Sequence, residues 1–96
     1  MNKQSILEKL RMIKPVLSEK YGLTELALFG SYSRNEESDQ SDIDLLVNYR
    51  SPMGMRYFDM VYELEDIFKE TKVQVISRDG IKPNYFDRIK SDLIYA

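Results

Sequence analysis

Neither cysteine nor histidine occurs anywhere in the 96 residues. Without cysteine there is no disulfide framework and no thiolate zinc site, and without histidine the usual zinc and general-base chemistry is missing as well. Any metal held by this chain must therefore sit on oxygen ligands, which points to magnesium or manganese. Long apolar runs are lacking too: no stretch approaches the roughly 20 residues of a membrane-spanning helix. The opening MNKQSILEKL reads as a polar-spaced helix start and not as a signal peptide. Nor is there an excess of positive charge, since 14 Lys and Arg stand against 16 Asp and Glu for a net charge of -2. Phosphate backbones are held mainly by fields of lysine and arginine, so nucleic acid is not expected as a direct ligand, although a local basic patch remains open. Internal repeats and low-complexity linkers are also absent; the most loop-like segment is SRNEESDQSD, residues 33 to 42.

What is present, 43% hydrophobic and 31% charged residues, suits a globule with a modest core. The length predicts one domain over residues 1 to 96. Ile6, Leu10, Ile13 and Leu17 recur at helical spacing, which predicts an amphipathic helix over 4 to 20, interrupted or restarted at Pro15 and closed by Gly22 as a C-cap. LALFG at 26 to 30 reads as a short buried strand, and DIDLLVNY at 42 to 49 as a central strand covered on most of both faces. Tyr57, Val61, Leu64 and Phe68 predict a second helix over 55 to 70. KVQVIS, 72 to 77, predicts a third strand with Val73 and Val75 on one side and Gln74 and Ile76 on the other. A last helix is expected from about residue 83 through the C-terminal segment, with Phe86, Ile89 and Leu93 inward. The order gives an α/β class with a small mixed sheet of three to four strands packed with helices.

The chemistry concentrates in ALFGSYSRNEESDQSDIDLLVNY, residues 27 to 49. In a strand, residues i and i+2 share a face about 6.5 to 7 Å apart, so Asp42 and Asp44 would project their carboxylates side by side. Two like charges that close disfavour each other's ionisation unless a cation lies between them. Magnesium suits such a place, because it takes one or two protein carboxylates and fills its remaining positions with water and phosphate oxygens. Two carboxylates can also bridge two metals in a phosphoryl displacement. Gly30 lets the backbone turn sharply beside a ligand, and the following N–H groups with the Ser31 hydroxyl can hold phosphate oxygens at the start of a helical turn. An Asp-x-Asp on its own is common at strand starts and turns, and Arg34 taken alone reads equally well as a solvated loop residue or a phosphate ligand. A calcium-binding EF-hand loop starting at Asp39 fails, because Asp44 stands where glycine is needed and Arg50 where a bidentate glutamate is needed.

Gly30 and Ser31, ten further residues, then Asp42, Ile43, Asp44, Leu45, Leu46 and Val47 resemble the signature of the DNA polymerase beta-like nucleotidyltransferase superfamily. YGLTELALFGSYSRNEESDQSDIDLLV is similar, more closely, to the minimal nucleotidyltransferases of the MNT type, antitoxin partners of HEPN-domain toxins, and the likeness spans nearly the whole chain. The resemblance implies a polymerase beta palm-like nucleotidyltransferase fold and a cytoplasmic protein. It implies binding of Mg-ATP, with Mg2+ on Asp42 and Asp44 and a second metal possible, and transfer of AMP to a tyrosine hydroxyl of a HEPN toxin, which silences the toxin. On the same basis Gly30 and Ser31 would hold the nucleotide phosphates, with Arg34 beside them. The family commonly has glycine where this chain has Asn35, which tolerates left-handed backbone angles.

One departure bears on activity. The family's third carboxylate lies on the strand read here as KVQVIS, where Gln74 occupies the acidic slot. Glutamine offers a carbonyl oxygen but no charge and no proton acceptance at neutral pH. Asp79, five residues on, could substitute. Three functions follow: an adenylyltransferase acting on a protein; a catalytically weak or inactive antitoxin that neutralises its partner by covering it; and transfer to a small molecule or RNA end, disfavoured for want of a second domain and a basic composition.

Overall fold

The structure, a computed structural model, describes residues 1 to 96. Helix α1, Lys3–Tyr21, begins at a reciprocal cap: the Asn2 side chain accepts from the Ser5 amide (2.9 Å) and the Ser5 hydroxyl accepts from the Asn2 amide (3.1 Å). It ends at Gly22, whose φ of 77° supplies the left-handed C-cap expected from the sequence. The expected break at Pro15 does not occur, and α1 runs through it. Ile6, Leu7, Leu10 and Leu17 are buried along one stripe, so packing holds the helix on both sides of the proline. Pro15 itself is exposed, where the carbonyl it leaves without an amide can turn to water.

Strand β1 (Leu23–Phe29) pairs antiparallel with β2 (Ile43–Tyr49), and β2 pairs in parallel with β3 (Val73–Ser77). Helix α2, Arg56–Ile67, makes the crossover between the two parallel strands. Helix α3 covers only Pro83–Ile89. Beyond a 3-10 turn at Lys90–Asp92 the chain becomes a strand, β4 (Ile94–Tyr95), which pairs antiparallel with β1 and gives a mixed sheet of order β3-β2-β1-β4. This corrects the single C-terminal helix expected from the sequence. Phe86, Ile89 and Leu93 do face inward, but their spacing is also met by a short helix that turns into an edge strand, and that strand covers the outer edge of β1.

The sheet has two unlike faces. Ile43, Leu45 and Val47 of β2, with Leu26, Leu28 and Val73, pack against α1 and α2 in one cluster. Ala27, Phe29 and Leu46 face the other way, against Ile89 and Phe86 of α3. Ile43, Leu45 and Val47 on one side of β2 and Leu46 on the other are all buried, as the middle of a central strand requires. The second face also carries Asp44 and Gln74, and α3 does not close over that end of the strands: Asp44 is half-buried and Gln74 exposed. No helix of the structure is long and apolar enough to cross a membrane.

Candidate functional site

Where β1 ends, Gly30 adopts a φ of 80°, which side chains disfavour. Space requires glycine as much as the angle does. A Cβ at this position would overlap Asp44 Oδ2 and lie 3.1 Å from Asp44 Cγ. The Asp44 carboxylate therefore rests directly against the backbone of the turn.

Residues 31 to 35 then form a single tight coil rather than the start of a longer helix. Its amides bond back to the carbonyls of Gly30, Ser31 and Tyr32, and it closes with the Glu36 amide on the Ser31 carbonyl (2.9 Å). Asn35 has a φ of 58°, the left-handed angle that this closing pattern demands, so asparagine does the work of a glycine here. Tyr32 is buried in the core and anchors the coil from below. Ser33, also buried, donates its hydroxyl to the Asp92 carbonyl (2.8 Å). The amides of Ser31 and Tyr32, at the open start of the coil, have no partner within the chain.

Asp42 lies one residue before β2 and Asp44 is its second residue. In the sheet register Asp44 stands between Phe29 of β1 and Gln74 of β3. Burial pushes the Asp44 carboxyl above the usual aspartate range, the neighbouring Asp42 carboxylate pushes it further, and Arg34 opposes both. The two aspartates predicted to work together are thus close enough to disturb each other. Gln74 is the direct partner of Asp44 and lies on the same face, as expected from the alternation of KVQVIS.

Arg34 is drawn the other way. Its guanidinium bonds Asp92 Oδ2 at 2.5 Å and Glu36 Oε1 at 2.7 Å, and these bonds raise its pKa. Asp92 belongs to the 3-10 turn before β4, so the last turn of the chain holds the coil through both Ser33 and Arg34. Sequence reasoning missed Asp92; a contact across 58 residues leaves no local spacing signal. Asp79 is not a substitute ligand. It lies at the opposite end of β2, where both its oxygens accept from the Tyr49 hydroxyl (3.1 Å each) and Ser77 bonds it as well. Those bonds lower its pKa.

This donor set fits a divalent cation only if other oxygens complete it. A half-buried carboxylate with a second one beside it is destabilised as an anion and gains from a cation. No group of three or more acidic residues is placed to cage a metal. An ion at Asp42 and Asp44 would thus keep open positions for water and phosphate oxygens, the habit of magnesium. The unpartnered amides of Ser31 and Tyr32 follow directly on Gly30, whose backbone lies against the Asp44 carboxylate.

Comparison with known proteins agrees with this fold. The profile of the family described as nucleotidyltransferase domain matches residues 10–96. MJ0128 of Methanocaldococcus jannaschii, named as a protein adenylyltransferase, is 40% identical over 93 residues, 95% of this chain and 94% of that relative. Protein adenylyltransferase MntA of Thermococcus cleftensis is 26% identical over 83 residues, 86% of this chain and 84% of its own length. Among solved structures, one described as a minimal nucleotidyltransferase superposes with a TM-score of 0.80 at 22% identity, covering 98% of this chain and 95% of that one. A toxin-antitoxin crystal structure with AMP-PNP gives 0.66 at 20% identity, covering 99% of this chain and 72% of the other.

Proposed function

We infer the function of this chain from the family to which it belongs, the nucleotidyltransferases: it binds Mg-ATP and transfers AMP to a hydroxyl of a partner protein, acting as an antitoxin. The whole chain, residues 1 to 96, serves as one minimal domain for this purpose. The observation that carries the reading is the Asp44 carboxylate, raised in pKa and lying against a turn where only glycine fits. Relatives named as protein adenylyltransferases support the transfer of AMP to protein, and the AMP-PNP complex of a toxin-antitoxin pair supports both ATP and a toxin partner. The acceptor in this reading is a tyrosine of a HEPN-domain toxin.

Each residue has a stated task. Gly30 admits a phosphate to the backbone, and the free amides of Ser31 and Tyr32 with the Ser31 hydroxyl hold its oxygens. Asp42 and Asp44 hold Mg2+, which when bound neutralises phosphate charge and acts as a Lewis acid. Arg34, steadied by Asp92 and Glu36, adds positive potential on the phosphate side. Gln74 stands where the acceptor hydroxyl must approach and accepts no proton at neutral pH, so that proton passes to water. The same residue favours a second reading, in which transfer is weak and the protein neutralises its partner by covering it.

Titration calorimetry with Mg-ATP tests the site. Binding is expected for the native chain and a loss of at least about tenfold when Asp42→Asn and Asp44→Asn are combined, the scale of removing charged partners. Equal affinity in both proteins would remove the metal-nucleotide reading.

A further inference from the structure

The largest groove in the molecule, about 560 Å³, lies between β3 and the start of α3. Ile76, Ser77 and Ile81 line it from the strand side, and Lys82, Tyr85 and Arg88 from the helix side. Its size falls in the range of roughly 300 to 1,000 Å³ typical of ligand sites. In a chain with more acidic than basic residues, this groove has two cations and no carboxylate along its lining. Neither Lys82 nor Arg88 takes part in an ion pair. The Arg88 guanidinium lies 5.9 Å from the Tyr85 ring centroid, and that ring is exposed.

Topology relates the groove to the candidate site. Ile76 is two residues beyond Gln74 on the same sheet face, about 7 Å along the strand. Across the sheet the order is therefore the Gly30 turn at the end of β1, Asp44 on β2, and Gln74 leading to the groove on β3. Nucleotidyl transfer is an in-line displacement. The acceptor oxygen forms a bond to the α-phosphorus as the bond to the β-phosphate oxygen breaks; pyrophosphate leaves and the hydroxyl proton goes to water. Entering and leaving oxygens lie on opposite sides of the phosphorus. With the leaving pyrophosphate on the Gly30 side, the acceptor must enter from the β3 side.

We propose that the groove lined by Lys82, Tyr85 and Arg88 is the acceptor site, and that it takes a polypeptide segment in which the accepting tyrosine stands beside one or more carboxylates. This rests on the reading of Gly30 and Ser31 as the phosphate cradle. The two unpaired cations supply charge complementarity to the carboxylates, and the exposed Tyr85 ring with its neighbouring guanidinium offers a planar surface to the accepting aromatic ring. β3 is an edge strand, so the segment can lie along it without displacing any strand.

The test uses labelled random copolymers, glutamate with tyrosine and lysine with tyrosine, followed by fluorescence anisotropy in the presence of magnesium and a non-hydrolysable ATP analogue. The native protein is expected to bind the glutamate copolymer and not the lysine copolymer. Lys82→Glu combined with Arg88→Glu should weaken that binding by about tenfold or more, and Lys82→Gln with Arg88→Gln by a smaller factor. Charge reversal at Lys3 and Arg11, on the helix across the sheet, should leave it unchanged. No binding of the glutamate copolymer by the native protein, or equal binding by the groove and native proteins, overturns the proposal. Mg-ATP titration of the same samples separates this from failure of the nucleotide site: a native protein that takes no nucleotide contradicts the cradle, whereas one that binds Mg-ATP and ignores the copolymer contradicts the groove alone.

Discussion

Asp44 is held nearer its protonated form than an ordinary aspartate, by burial and then by Asp42. A carboxylate whose pKa is higher in the fold than in the unfolded chain makes the folded state bind more protons between those two values. Stability therefore falls as pH rises through that window and stays lowered above it. Asp44→Asn should raise the thermal midpoint of the cation-free protein at neutral pH. Because the group is half-exposed and screened by solvent, the gain should stay below about 1 kcal/mol, a shift of no more than about 8 °C at this size. The difference should vanish below the ordinary aspartate range, where both proteins are neutral at this position. A variant no more stable than the native protein at neutral pH would contradict the electrostatic account. Gln74 gives the complementary test on the same face. Gln74→Asp places a carboxylate in register with Asp44, and labelled ATP with purified partner should show AMP transfer rising by about 100-fold, the low side of what a positioned proton-transfer group contributes. ATP affinity should change little. A native rate already high, and unchanged or lowered by the substitution, would show that this slot is not a missing acid.

At the scale of elements, the sequence was most legible where period and burial agree. The alternation in KVQVIS placed Gln74 on the face of Asp44, and the Gly30 turn and the Asn35 angle were both readable from residue chemistry. Two elements were misread for physical reasons. Pro15 carries a strong local penalty, but the apolar stripe from Ile6 to Leu17 is anchored on the sheet and outweighs it. Because the proline still removes one helix bond, Pro15→Ala should stabilise the protein by about 1 to 3 kcal/mol in urea unfolding. A loss of stability would mean that the helix depends on the proline, through a bend or a contact. At the C-terminus, the inward spacing of Phe86, Ile89 and Leu93 fits a helix or a helix followed by a strand. Only the need of β1 for an edge partner decides between them, and that need is invisible locally. Ala96 shows the result: its amide donates to the Leu26 carbonyl (2.8 Å) and its carbonyl accepts from Lys14 (3.0 Å). Asp92 became part of the site's surroundings through the same docking of the last turn.

For the whole molecule, the division of the sheet into two faces organises function. One face is closed by α1 and α2 over an apolar cluster, which fixes β1 and β2 so that the Gly30 turn and Asp44 meet with little freedom. The other is only partly covered by α3, leaving a path from the Gly30 turn at the end of β1, past the carboxylates on β2, to the cationic groove on β3. In the proposed reading, a nucleotide laid along this path has its α-phosphorus at Asp42 and Asp44 and its acceptor side toward Gln74. The central claim is that this arrangement transfers AMP to a partner protein. Intact-mass and peptide mass spectrometry of a purified HEPN-domain toxin, the partner proposed above, incubated with this protein in the presence and absence of Mg-ATP, tests it most directly. The account predicts added AMP on a tyrosine of the partner only when both the protein and Mg-ATP are present, and none with the protein carrying Asp42→Asn and Asp44→Asn. A partner that is neutralised yet gains no mass under any of these conditions would contradict it and leave neutralisation by binding alone.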